Sequence, residues 1–586
     1  MFYASPCWRC CWRWPAGRMP RDGTTHGGCC INSPYTTKKW RSSVEQLRFL
    51  LYNVIAMKQE QQRHYTTNEA AYQVVMPLNL GIKIPQDDSV RLLMRIAERI
   101  DWRKLSGAYE RESSSWEATP KQIFLLVVLG FMNGIYSTRK IEKACRCDIR
   151  FMWLLAGRQV PDHTRIARFI DRIRGRIMED MFYELVHLLK TEGEIEYEHL
   201  FVDGTKIEAN ANRYTFVWRK RVEHGMEKLC GKRTELIQEL RTQYALELGN
   251  RTKPEEILSR LRELAQEREI EFVKGKGKRK STLQKQIEQL AAMQAKEAEY
   301  LEHGRILGKR NSYSKTDHSA TFMRMKDDHM GNGQLKPGYN VQLGIEAEYI
   351  VGVDISSDLN DTQALVPLLE RMEEKGGIKY KDVTTDAGYE SEEAYVKTKA
   401  RGQVAYIKPQ NYEKSKKHSF RKNAYLRENM PYNEEKNCFT CPAGKELTFQ
   451  GIKMRKSKSG YEQQVSIYRA DNCAGCPHKE KCTKAKEARK IEISWTFERE
   501  RAESRERITS DLGILLRLNR SIQSEGAFGV LKEDRHFRRL KRRGTERVFT
   551  EILLYAFAFD VEKLHAKAQQ GRLKSMLIIP EKLNTA

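Results

Sequence analysis

A mixed α/β layer joined to an all-α amino-terminal region is the fold class this sequence predicts, and three observations predict it. Apolar residues at three- and four-residue spacing run from Asp87 to about Glu192, the mark of packed helices. From His199 onward β-prone runs appear, and between residues 339 and 409 they alternate with short helical segments, as in a sheet flanked by helices. Two stretches of different texture, one helical and one Cys-bearing, interrupt that alternation. With 586 residues the chain is too long for one ordinary domain, and three or four units are expected.

Taken in order, residues 1–56 are rich in Cys, Trp and Arg and have little helical periodicity, so we expect an extension outside the fold, with Met57 as an alternative start. Arg9 and Arg13 break its apolar stretch, which leaves no secretion-signal core. Residues 57–196 read as a helical DNA-binding domain. VRLLMRIAERI, PKQIFLLVVLGFMNGI, TRKIEKAC and HTRIARFIDRIRGRIMEDMFYELVHLL carry the helical spacing, and Ser137 and Asp162 stand where a side chain caps a helix start. Arg139, Lys140, Arg165 and Arg168 then point outward, as in a helix-turn-helix unit whose second helix enters the major groove. A plain helical bundle with a solvated basic face would give the same pattern.

Residues 197–215 and 311–410 supply the α/β layer. HLFVDGTKIEANANR opens it as an extended run. YNVQLGIEAE and YIVGVDISS make a hairpin, a helix begins at Asp361, KDVTTDAGYES is a buried strand ending in an acid, EEAYVKTKA is a helix, and QVAYIKPQ is a further strand. Residues 216–310 interrupt the layer as a coiled-coil-like helical insertion. Met226, Leu229, Leu236 and Leu240 form one seam, with Arg233 where an apolar residue is expected, and Leu283, Ile287 and Leu290 form the other. Residues 411–495 are a second, Cys-rich insertion; 496–570 return as helix, and 571–586 are a tail.

Three carboxylates stand out by position. Asp203 lies mid-strand, where an uncompensated charge is costly to bury. Asp386 ends a strand, where open α/β sheets assemble sites. Glu525 lies on a helix-like segment with Lys532 seven residues on, within roughly 20° of the same helix face. Acids from separate elements with no His nearby suit Mg²⁺ or Mn²⁺ held through oxygen. Two such ions can activate a water or a 3′-hydroxyl in phosphodiester attack. Taken singly, each acid reads better as a cap or ion-pair partner. Asp327, Asp328 and His329 form a denser cluster, but in a Gly-rich loop. Asp361 reads as a helix cap, Asp354 as a strand-end residue, and Asp382 as the competitor of Asp386.

The strings VDGTKIEANANRYTFVWRK, MRMKDDHMGNGQLKPGYNVQ, TTDAGYES and SEGAFGVLKEDRHFRRLKRRG resemble the DDE transposases of bacterial insertion sequences, over about Met76 to Leu564. The resemblance implies a split RNase H-like catalytic domain, with Asp203, Asp386 and Glu525 as the metal-binding triad and the Glu525–Lys532 pair at the end of the signature. In that signature an arginine lies four residues before the glutamate, whereas Ser521 stands there and Arg520 is one residue off. The implied activity is strand cleavage at element ends and transfer of 3′-OH ends into target DNA. The implied partners are the terminal inverted repeats, the target duplex and further copies of the chain, in the nucleoid of a bacterial cytoplasm. A catalytically silent DNA-binding remnant or repressor, and a metal-dependent nuclease on the same fold, are the alternatives.

Thirteen cysteines, an odd count spread unevenly, do not form a secreted disulfide framework. Cys438-x2-Cys441 and Cys473-x2-Cys476 have the spacing of a zinc ribbon, so a structural Zn²⁺ on these four is expected, with Cys482 competing. Reduced thiols without metal are the plainer reading. The charge balance, 104 Lys and Arg against 78 acids for +26, points to a polyanionic partner, and Arg538 and Arg539 beside Glu525 are counted among its contacts. The longest apolar run, Ile123 to Met132, is about half the length of a membrane span.

Overall fold

The computed structural model describes residues 80–106, 116–245, 253–274, 279–325 and 333–579. The expectations for residues 1–56, Met57, Asp327, Asp328 and His329 lie outside the described residues. Helix α1 (Ser89–Arg99) starts where Asp88 accepts from the Val90 N–H at 2.9 Å. In α2 (Pro120–Met132) Thr119 and Gln122 form a reciprocal capping box, and Pro120 sits in the first turn, where its missing N–H costs nothing. Every residue from Ile123 to Met132 is buried, so the longest apolar run is a helix surrounded by protein. Among the described residues no helix is long and apolar enough to cross a membrane.

Next come α3 (Thr138–Cys147), α4 (Ile149–Leu155), α5 (His163–Arg172) and α6 (Arg176–Thr191). The long helical run from His163 is thus two helices, broken at Gly175, whose φ of 72° an α-helix does not accommodate. Asp162 caps α5 through the Arg165 N–H at 2.5 Å, whereas Ser137 precedes α3 without a side-chain bond to it.

Strand β1 (His199–Glu208) opens the main sheet. A neck follows in which β2 (Phe216–Trp218) pairs with β3 (Ser312–Ser314), and between them stand α7 (Arg219–Tyr244), α8 (Pro254–Glu267) and α9 (Thr282–Leu307). The insertion is therefore three helices, not two arms, because Pro254 starts a helix with its own apolar face. Leu240, Leu261 and Leu290 are the innermost residues of its separate core. Arg233, the charged seam residue, is matched by Glu297 across the helix pair at 2.5 Å.

The sheet continues with β4 (Thr321–Arg324), β5 (Leu335–Glu346) and β6 (Tyr349–Ser356). The β5–β6 turn places Ala347 and Glu348 at φ 52° and 70°, a left-handed pair that suits the twist of a two-residue hairpin without glycine or asparagine. Helix α10 (Leu365–Gly376), β7 (Asp382–Thr385), α11 (Glu392–Ala400) and β8 (Val404–Ile407) complete the layer. The strand order is β4-β5-β1-β7-β8, with β6 also on β5. β1 is antiparallel to β5, β5 to β6, while β1, β7 and β8 run parallel.

The Cys-rich region is an antiparallel sheet of β9 (Tyr432–Asn433), β10 (Cys438–Thr440), β11 (Glu446–Lys456), β12 (Glu462–Ala470) and β13 (Lys490–Ile493), each beside its neighbour in sequence. It has a small core of its own around Phe439, Leu447 and Tyr468. Then come α12 (Trp495–Thr509), α13 (Asp511–Gly529), a π-helical turn at Val530–Asp534, and α14 (Thr545–Gln569). Helix α14 packs on α2, α6 and β6, with Phe124 and Phe557 edge to face at 5.3 Å. One hydrophobic core thereby runs from Ile84 through the main sheet to Val561, joining the amino-terminal helices to the α/β layer.

Candidate active site

Strands β1 and β7 are parallel and paired as far as Val202 and Thr385. One residue further along each chain stand Asp203 and Asp386, so the register sets the two acids side by side at the carboxyl end of β7. Asp386 turns there into a short 3₁₀ helix, its Oδ1 accepting from the Gly388 N–H at 2.8 Å. Asp203 Oδ1 accepts from the Gly204 N–H at 2.8 Å, and its Oδ2 accepts from Arg520 Nη1 at 3.0 Å. Both side chains of that ion pair are largely buried, 16% and 13% exposed, so it is held in a low-dielectric setting. Arg520 is carried by α13, which packs across β1 and β7.

Behind β1 lies a polar group that sequence reading missed. Gly204 faces Gln342 across the β1–β5 ladder. Gln342 Nε2 and Asn340 Nδ2 donate to Asp361 Oδ1 at 2.9 and 2.6 Å, and the buried Tyr389 hydroxyl donates to Gln342 Oε1. Asp361 therefore anchors two strand amides, and the N-cap of the short 3₁₀ turn that it opens is Asn360. A methyl group at Gly388 would lie 3.0 Å from Asp386 Oδ1 and 3.6 Å from Asp361 Oδ2, so both carboxylates come close to that glycine's open face. Burial raises the Tyr389 phenol well above its usual range; Asp361, Asp203 and Asp386 add to the rise and Arg520 opposes it. The signal in the sequence was Asn340 and Gln342 themselves, two amides on one face of an otherwise apolar strand that need a buried acceptor.

Glu525 is exposed on α13 and accepts from Ser521 Oγ at 2.7 Å, one turn back. Lys532 falls within the π-helical turn. The wider i→i+5 winding takes it off the phase that a continuous α-helix would give, so the alignment with Glu525 expected from seven-residue spacing is altered. Among the described residues, no group of three or more His, Cys, Asp or Glu side chains is drawn together as a metal-holding set. Asp382 sits at the opposite end of β7 from Asp386 and is bonded to His199 Nδ1 at 2.8 Å. Asp354 is held by Arg371 at 3.1 Å.

Residues 440–565 match the family described as Transposase DDE domain, and residues 78–172 match that described as Transposase domain (DUF772). The two matches support a DDE-type transposase of an insertion element. The first match contains Glu525 and Lys532, and the second covers α1 to α5. No curated protein and no solved structure matches the chain.

The basic residues singled out from the sequence divide into two sets. Arg139, Lys140 and Arg168 are exposed. Arg165 instead holds the strand-like segment before α2, through Glu117 at 3.0 Å and the Ala118 carbonyl at 3.1 Å. Arg538 pairs with Glu533, and Arg539 donates to the Ala209 and Ala211 carbonyls just past β1. These three also bond within the chain, Arg538 and Arg539 while exposed like the first set.

Cys438 is buried in β10 between Asn433 and Thr448. Cys441 lies past the end of that strand, where its N–H donates to the Lys445 carbonyl at 2.9 Å. Cys473, Cys476 and Cys482 occupy the β12–β13 connection.

Proposed function

We propose that the chain cuts DNA at the ends of its element and joins the 3′-OH ends to target DNA, with the main sheet as an RNase H-like catalytic fold. The β1–β7 register carries this reading, since it brings two acids 183 residues apart in sequence to adjacent strand positions, under a helix that bears Glu525. Asp203, Asp386 and Glu525 would hold Mg²⁺ or Mn²⁺, a donor set of carboxylate oxygen that fits a hard cation. Two such ions, when bound, stabilise the attacking and leaving oxygens of phosphodiester displacement. Around them the chain's own groups keep order. Arg520 orients Asp203 and offsets its charge, the Gly388 N–H fixes Asp386, and Ser521 restrains Glu525. Lys532 supplies a cation for a phosphate beyond α13.

Binding through Arg139, Lys140 and Arg168 and pairing of two ends by an oligomer complete the reading, in the nucleoid of a bacterial cytoplasm. A catalytically silent DNA-binding remnant is the second reading, and the Arg520–Asp203 ion pair favours it, since the arginine already occupies one oxygen of the first acid.

Incubating the protein with DNA flanking its own gene and Mg²⁺ separates the two. Cleavage with joining is expected, and Asp203→Asn, Asp386→Asn and Glu525→Gln should each slow it about a thousandfold. That follows from a metal contribution of several kcal/mol at about 1.4 kcal/mol per tenfold. Binding without cleavage selects the remnant, and cleavage without joining a plain nuclease. Full activity in any of the three variants would remove that residue from the triad.

A further inference from the structure

The Cys-rich sheet contains five thiols, and strand geometry sorts them differently from their spacing. Side chains alternate along an extended strand, so residues three apart point to opposite faces. In β10 Phe439 packs into the small core with Leu447 and Tyr468, and Cys441 packs against the same core. Cys438, an odd number of residues from both, faces the other way. Beyond β10 the chain turns at Cys441–Lys445, with the Gly444 N–H on the Cys441 carbonyl at 2.9 Å. That turn meets the β12–β13 connection. Cys473 packs against the same core as Cys441. Cys476 and Cys482 then line, with Cys441 and Cys473, one cavity of about 20 Å³ from which Cys438 is absent. A cavity of that size has room for about one water-sized occupant.

We propose that Cys441, Cys473, Cys476 and Cys482 are the ligands of a single structural Zn²⁺, and that Cys438 is not.

The surroundings suit thiolates. The Arg489 N–H donates to Cys473 Sγ at 3.4 Å, and N–H bonds to sulfur stabilise a ligand's negative charge. The Arg489 guanidinium lines the same cavity, where it donates to the Cys482 carbonyl at 2.5 Å, and its buried Nε has no partner among the described residues. A cation there offsets the double negative charge of a four-thiolate zinc. His478 also lines the cavity, but its Nδ1 is engaged by the Tyr425 hydroxyl at 3.0 Å. As they stand, the thiols are not closed into a metal-holding set. Binding forms four S–Zn bonds and releases four thiol protons to solvent. The ion would tie the β10–β11 turn to the β12–β13 connection, a function independent of the acids.

The test is metal content of the full-length protein expressed with added zinc, together with the Co²⁺-substituted spectrum of the unaltered chain. One zinc per chain and a four-thiolate cobalt charge-transfer band are expected. Cys438→Ser and His478→Ala should keep the full equivalent, whereas Cys482→Ser should lose it and Cys482→His should restore most of it. Loss of zinc in Cys438→Ser with retention in Cys482→Ser overturns the assignment. So does an unaltered chain that binds neither zinc nor cobalt through sulfur, a result that does not depend on any variant folding.

Discussion

Glu562 shows what burial does to one side chain. It sits on the buried helix α14, paired with Arg535, and burial pushes its carboxyl up to about 7, with Arg535 opposing the shift. A carboxyl whose folded pKa is raised favours the folded state when protonated. Stability should therefore fall as pH rises from about 4.5 to about 7, a window worth on the order of 1–3 kcal/mol. Glu562→Gln should flatten that profile, matching the unaltered protein near pH 4.5 and exceeding it at pH 8 in denaturant titrations. An unchanged slope between pH 4.5 and 7 would show that Glu562 is not the group responsible. At the same scale Asp361 and Arg165 have partners that the sequence did not show, for one reason. Whether a polar side chain caps, tethers or faces solvent depends on neighbours brought from elsewhere in the chain, here Asn340 and Gln342 for the first and Glu117 for the second.

Helix α13 carries both Arg520 and Glu525, so its angle against α12 decides where they reach. The junction is built on Ser510, whose Oγ accepts from the Gly513 N–H at 3.1 Å, and on the bare Gly513 itself. A methyl group at residue 513 would lie 2.0 Å from the Arg507 carbonyl oxygen, which is backbone and cannot swing aside. Gly513→Ala should cost about 1–3 kcal/mol or more. It should lower the melting temperature by several degrees and reduce DNA cleavage with it. Gly526→Ala on the same helix meets nothing within 4 Å, and should be neutral or raise stability by up to about 1 kcal/mol. Equal melting temperatures for the two variants would refute this account of the junction. The helices and strands themselves were legible from periodicity, down to the β5–β6 hairpin. The break at Gly175 and the third helix of the insertion were not, because apolar spacing continues across a glycine and does not count separate helices.

Across the whole chain, +26 is the formal charge, and Arg520, Arg538 and Arg539 each also bond within the chain. DNA affinity should fall linearly in log–log form with salt, with a slope of about −0.9 per phosphate contacted. Arg139→Ala and Lys140→Ala should each lower that slope by about one. Arg165→Ala should leave the slope unchanged while lowering stability, as a tether would. A drop in slope for Arg165→Ala with no loss of stability would return it to the DNA-contacting set. The amino-terminal helices share one core with the main sheet and α14, so a core variant such as Phe124→Ala should lower stability of both together.

From the sequence alone came the classes of element and their order, with Asp203, Asp386 and Glu525 as candidate acids, because periodicity and local chemistry are written along the chain. Tertiary structure decided which groups meet. Strand register sets Asp203 beside Asp386, and α13 lays Arg520 on the first of them. The alternation of β10 parts Cys438 from Cys441, although their spacing reads as a knuckle. Spacing in sequence gives distance along the backbone, whereas a site depends on which face of each element the side chain leaves.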